Sequence, residues 1–271
     1  MSYVRNAGIT AVFALVFMAA GCGSSPFGSN RPVFNKPNNP EEIIKLMKPE
    51  AAAVPQEGIA AAILLDTSGS MSETVMGSDN RPSPKIGVAQ KSLLSLVGQF
   101  RDFAQKHPEK KLLVGIYDFS SRTNLPSCRQ VVKMGPPDFA VAQTAIKSIT
   151  AAGGTPIGDA MIMAKRDLAA TGLSRRHILV ITDGENNRGY VPGDVARAIG
   201  MEPETDRAAI YFIAFDVGAE VFDPVKEAGG LVLAAESEPQ LTRTLDYILT
   251  GKILVEQPPE PPRSPHPAIK K

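Results

Sequence analysis

Residues 59–71 read Ile-Ala-Ala-Ala-Ile-Leu-Leu-Asp-Thr-Ser-Gly-Ser-Met. Seven apolar residues without a charge are followed at once by an acid and a Ser/Gly turn. A short apolar run bounded by turn residues is the pattern of a strand buried on both faces. Downstream, Ile86, Ala89, Leu93, Leu96, Val97, Phe100 and Phe103 recur at helical spacing, with polar residues between them. The same alternation continues along the chain. Strands are expected over 112–119, 130–134, 177–182, 208–217 and 231–235, and helices over 139–149, after Pro156, around 224–228 and from 238 to about 254. Buried apolar strands separated by amphipathic helices predict an open, doubly wound α/β fold, with a mostly parallel sheet and helices on both faces. Ligands in such sheets bind beyond the carboxyl ends of the strands.

Three polar clusters fall at those ends. The first is Asp66-Thr67-Ser68-Gly69-Ser70, the second is Gly153-Gly154-Thr155-Pro156, and the third is Thr182-Asp183-Gly184-Glu185. Thr155 is placed to cap a helix whose first residue is Pro156. Asp66, Ser68, Ser70, Thr155 and Asp183 are expected to converge above the sheet. All are hard oxygen donors, a set that suits Mg²⁺, with Mn²⁺ or Ca²⁺ as alternatives, and disfavours zinc or copper. Asp118 and Asp216 also end strands and read as simple strand-end charges, with a supporting role behind the site as the alternative.

These residues carry a resemblance to the von Willebrand factor type A (VWA) family, over about Gly58 to Leu254. The family's metal-ion-dependent adhesion site is an Asp-x-Ser-x-Ser motif followed by a Thr and an Asp from two later loops. Asp66, Ser68 and Ser70, then Thr155, then Asp183, match it in order. The resemblance implies a Mg²⁺ held by these residues directly or through water, with one coordination position left for a carboxylate from a protein partner. The insert Ser72 to Pro84 departs from the family pattern. It is expected to overhang the site, forming its rim together with residues 185–192.

The remainder of the chain serves delivery. Arg5 precedes the apolar stretch Ala7–Ala20, and small residues lead directly into Cys22. This fits a signal peptide too short for a comfortable membrane span. Its end resembles the lipobox of bacterial lipoproteins, with Ala19 where leucine is most frequent. The resemblance implies removal of residues 1–21 and acylation of Cys22. With Gly23 following, it places the protein in the cell envelope, lipid-anchored in the outer membrane and facing the periplasm. Residues 22–57, rich in Pro, Ser and Asn, read as a tether in which 41–48 could form a short helix. Residues 58–254 are expected, by the resemblance, to form the VWA domain. Residues 255–271 read as a disordered tail, with six prolines in the last sixteen positions.

Composition narrows the function further. Lys plus Arg is 29 and Asp plus Glu is 28, and there is no Trp, so neither charge nor stacking surface points to nucleic acid. Two cysteines exclude a disulfide framework, and once Cys22 is acylated Cys128 is a lone thiol. The three histidines lie outside any nucleophile-relay motif. The stretch Gly153–Asp159 ends in an acid where a phosphate loop needs lysine, and Ser68 stands where an aspartyl-phosphate site would carry a second carboxylate. The expected function is therefore a membrane-anchored binding module and not an enzyme. A metal-assisted envelope hydrolase is the alternative, opposed by the lack of a histidine or lysine base near the site. A structural envelope lipoprotein with a stabilising metal is the other.

Overall fold

The computed structural model describes residues 34–35, 39–51, 53–123 and 125–255. Residues 1–21, expected to be a signal peptide, together with Cys22 and the residues from 256 onward, lie outside them. The elements in chain order are β1 (Phe34–Asn35), α1 (Pro40–Leu46), β2 (Gln56–Asp66), β3 (Thr74–Met76), β4 (Pro82–Pro84), α2 (Lys85–Lys106), β5 (Leu112–Phe119), β6 (Cys128–Gly135) and α3 (Phe139–Lys147). They continue with α4 (Ile157–Ala170), β7 (Leu173–Thr182), β8 (Arg188–Gly189), α5 (Pro192–Met201), β9 (Ala209–Phe215), α6 (Asp223–Glu227), β10 (Leu231–Ala235) and α7 (Glu238–Ile248). None of the described helices is long and apolar enough to cross a membrane.

Six strands form the central sheet in the order β10–β9–β7–β2–β5–β6, all parallel except β6 at one edge. β2 is central because it can be buried on both faces. Its alternate residues Ile59, Ala61, Ile63 and Leu65 pack with Val88, Leu93, Leu96 and Phe100 of α2 and with Leu241 and Leu245 of α7. Ala60, Ala62 and Leu64 point the other way, onto Ile157, Ala160, Met161 and Leu168 of α4 and Val195 and Ile199 of α5. This period-2 division of one apolar run between two helical layers is what the doubly wound expectation requires. The chain leaves β2 for β5 on one side and later reaches β7 on the other. The carboxyl ends of β2 and β7 therefore flank the topological switch point.

Part of the tether is folded, as the short helix allowed for at 41–48 anticipates. Residues 40–46 are helical, and Ile43 and Met47 are buried in the same core as α4 and α5. The local sequence explains this. Asn39 accepts a hydrogen bond from the Glu41 amide (3.0 Å), Pro40 opens the helix, and Ile43 and Met47 lie on one face. Tyr190 fastens this helix by donating to Glu42 Oε1 at 2.8 Å. β1 also pairs in parallel with β8, so the folded region begins well before residue 58.

The insert 72–84 is likewise ordered. β3 and β4 pair as an antiparallel hairpin with Val75 buried beneath it. Near its turn the Ser78 amide donates to Glu238 Oε2 (2.9 Å) at the start of α7, and Glu238 also takes Lys91 Nζ at 2.5 Å. The expected overhanging loop is thus a hairpin tied down onto α7.

Candidate functional site

Asp66, Ser68, Ser70 and Asp183 sit at or just after the ends of β2 and β7, whereas the second cluster departs from the expected strand end, because Thr155 lies in the loop between α3 and α4. Asp66 is the last residue of β2 and is fully buried. Its Oδ1 accepts the Ser68 amide at 2.7 Å and its Oδ2 accepts Thr182 Oγ1, at the end of β7, at 2.6 Å. Burial pushes the Asp66 carboxyl up to about 7. The hydrogen bonds from Thr182 and Ser68 oppose that rise, and the Asp183 charge adds to it. Beyond Asp66 a single 3-10 turn, Gly69–Ser72, turns the serine hydroxyls back over the strand ends. Ser68 Oγ lies 3.1 Å from Ser70 Oγ, and Ser70 Oγ donates to Asp183 Oδ1 at 2.7 Å. A Cβ placed on Gly184 would sit 3.8 Å from Ser70 Oγ and 3.9 Å from Thr155 Oγ1, so the second loop meets the other two at the same point. Asp66, Ser68, Ser70, Thr155 and Asp183 are therefore gathered as the motif spacing predicts.

The loops are held by their backbones. The Gly69 amide donates to the Gly153 carbonyl (2.9 Å) and the Ala152 amide to the Thr67 carbonyl (2.8 Å). Gly153 has φ +90°, and a Cβ there would lie 2.3 Å from the Ser121 carbonyl oxygen, so this position requires glycine. Arg122 fastens the underside through the carbonyls of Thr150 and Ala152 and the hydroxyl of Ser120.

One local expectation fails. Thr155 does not cap α4, which starts at Ile157 with no side-chain cap of its own. Asn186 and Asn187 of the third loop do that work. Asn187 Oδ1 accepts the Thr155 amide (2.9 Å) and Asn186 Oδ1 accepts the Ile157 amide (2.8 Å). The Thr155 hydroxyl is thereby left available to the site. Two asparagines directly after Asp183-Gly184-Glu185 were the available signal, because Asn side chains satisfy loop amides.

The residue that the sequence reading missed is Lys85. Its side chain is only 4% exposed, and its Nζ lies 3.2 Å from Asp183 Oδ2, 2.9 Å from Asp216 Oδ2 and 3.2 Å from Glu73 Oε2. A lysine base near the site was expected to be lacking, yet an ammonium touches Asp183. It does not serve as a base. Burial opposes its charge, but Asp216, Asp183 and Glu73 together outweigh burial and push its pKa upward, so it stays protonated. Asp216 is correspondingly more than a strand-end charge. It has φ +56°, a left-handed conformation that costs energy for a non-glycine residue, and this bend brings its carboxylate to Lys85. Asp118, by contrast, pairs with Arg129 across β5 and β6.

Among the described residues, the remaining thiol and a buried imidazole lie apart from this cluster. Cys128 is buried on β6, and burial pushes its thiol pKa upward. His177 is buried beside Tyr211 in the middle of β7.

Comparison with known proteins agrees with the fold. Residues 61–185 match the model of the von Willebrand factor type A domain. The central sheet and its helices match the doubly wound VWA fold in solved structures. One is a von Willebrand factor type A protein from Catenulispora acidiphila, at 18% identity and TM-score 0.53, covering 74% of this chain and 47% of that one. A second is the vWF domain of the type V pili tip protein Mfa5 from Porphyromonas gingivalis, at 13% identity and TM-score 0.54, covering 76% and 99%. A third is the PilB minor pilin from Streptococcus sanguinis, at 15% identity and TM-score 0.53, covering 73% of this chain and 62% of that protein. A search of curated protein sequences found no match. The matched VWA segment begins inside β2 and ends just beyond Asp183, so it contains all three loops of the site.

Proposed function

We propose that this VWA-type domain is a binding module whose site holds Mg²⁺ and takes a carboxylate from a partner protein. The observation that carries the reading is the chain Ser68–Ser70–Asp183 beside a fully buried Asp66, whose hydrogen-bond partners are a hydroxyl and an amide. Asp66 and Asp183 are both buried and the charge of one disfavours ionisation of the other, a repulsion that a cation relieves. The donors are oxygens only, few are anionic, and the loops are rigidly tied, which suits Mg²⁺ better than Ca²⁺ and fits Mn²⁺ as well. Ser68, Ser70 and Thr155 would offer hydroxyls, and Asp66 and Asp183 would supply the negative charge. A bound Mg²⁺ would provide a directional position for one further anionic oxygen.

The domains of a pilus tip protein and a minor pilin that share this fold support a role in protein binding over one in catalysis. So does Lys85, which is held as a cation and cannot act as a base. The proposal includes delivery: acylation at Cys22 anchors the module to the outer membrane, facing the periplasm. Several buried acyl chains, at about 0.8 kcal/mol per methylene, suffice for stable anchoring.

Pull-down from solubilised membranes tests the binding reading. The partner is expected to be retained in Mg²⁺ and lost both on chelation and in Thr155→Ala. A partner indifferent to both would contradict it. Cys22→Ser is expected to move the protein out of the membrane fraction or leave it unprocessed at higher mass. Normal processing and membrane retention of that variant would refute the anchor.

A further inference from the structure

Lys85 stands where electrostatics alone would not put it. It is the first residue of a 22-residue helix, the end at which unpaired amides and the helix dipole disfavour a cation. It is nonetheless buried, and its placement is enforced from three sides. Pro84 precedes it in extended backbone, and the Lys85 amide donates to the Glu73 carbonyl at 2.8 Å. Its three ammonium protons then meet carboxylates from three segments: Glu73 before the hairpin, Asp183 after β7, and Asp216 after β9. The effect on Asp183 is specific. Oδ1 is taken by Ser70 and Oδ2 by Lys85, so neither oxygen of this buried carboxylate is free to turn outward as a pair.

We infer that Lys85 is the residue that sets ion selectivity at this site, favouring Mg²⁺ over Ca²⁺. The inference rests on the metal-binding reading above. Ca²⁺ takes six to eight oxygens, gains from bidentate carboxylates, and its affinity follows the count of charged ligands. Mg²⁺ needs only one or two carboxylates and keeps several waters in an octahedral shell. Lys85 restrains Asp183 from bidentate contact and cancels one unit of negative charge beside it. Both effects penalise Ca²⁺ more than Mg²⁺. Lys85 acts through Asp183 and is a positioning residue, not a ligand.

The test is calorimetric titration of the full chain with MgCl₂ and, separately, CaCl₂. Wild type is expected to prefer Mg²⁺. Lys85→Met should strengthen Ca²⁺ binding by about tenfold and Mg²⁺ binding by much less, narrowing the preference. Lys85→Arg, which keeps the charge, should retain it. Should Lys85→Met fail to fold, the double variant Lys85→Met/Asp216→Asn removes both members of the 2.9 Å pair and is expected to show the same narrowing. Equal strengthening of both ions, or none, would overturn the selectivity role while leaving the metal site intact. Binding of neither ion by folded wild type would overturn the metal reading, and this inference with it.

Discussion

Two lysines are buried at opposite ends of the sheet, and they are used differently. Lys165, on α4, has its Nζ 2.6 Å from Glu202 Oε2, with side-chain exposures of 2% and 11%. One cation meets one anion, and the pair is closed. Lys85 is shared among three carboxylates, with Asp66 buried close behind Asp183. There the anions outnumber the cation. A matched buried pair leaves no charge over, whereas buried Asp66 and Asp183 face a single ammonium and leave a carboxylate for a further cation to neutralise. The difference teaches that burial of charge alone does not mark a site; the imbalance of charge does.

That contrast can be broken by exchanging the lysines for methionine. Lys165→Met strands the Glu202 carboxylate and should cost about 3–5 kcal/mol in urea unfolding, with no recovery on adding MgCl₂ or CaCl₂. Lys85→Met strands the buried Asp183 carboxylate, but Asp183 keeps the Ser70 hydroxyl while Glu73 and Asp216 are exposed enough to be hydrated. It should therefore cost less, and divalent cations should restore much of the loss. Equal losses with equal indifference to cations would erase the distinction.

Acid sharpens it next. His177 belongs to the half of β7 remote from the site, and burial, aided by Arg175, lowers its pKa from 6.5 to about 3. The folded state therefore binds fewer protons than the unfolded chain between these values. The contribution of neutral His177 is full above about pH 6.5 and is lost as pH falls toward 3, at up to about 1.4 kcal/mol per pH unit. His177→Phe should flatten this limb in pH-dependent unfolding, with cation dependence unchanged. An unaltered acid limb would mean that another group controls it.

The smallest expected effect is at Asp66. In chelator at pH 8, Asp66→Ala removes a buried anion that no ammonium contacts directly, so the variant should be as stable as wild type or more stable by about 1–2 kcal/mol. Thermal unfolding in EDTA measures this. A loss of several kcal/mol would show that Asp66 is a structural hydrogen-bonding hub before anything else.

Much of this was legible in the sequence. The run 59–65 announced a central strand because seven apolar residues can be divided between two faces only in a covered sheet. Asp66, Ser68, Ser70 and Asp183 could be read because they close or follow a strand at the switch point, and Thr155 because its Gly-Gly-Thr-Pro loop opens the next helix. Lys85 could not, since a lysine beginning an amphipathic helix reads as a solvent charge, and its partners lie 12, 98 and 131 positions away. Asp216 was underread for the same reason: its role depends on a left-handed bend that no local pattern requires. The helix at 40–46 was visible only as a possibility, because Ile43 and Met47 find their partners on α4 and α5 and not within the segment.

The central claim is that a hydroxyl and carboxylate cluster at the switch point holds a divalent cation. The most direct measurement is calorimetric titration of MgCl₂ into wild type and Asp66→Ala, with circular dichroism confirming that both are folded. The account predicts saturable one-to-one binding by wild type and its abolition in Asp66→Ala. Equal affinity in the two proteins would contradict it.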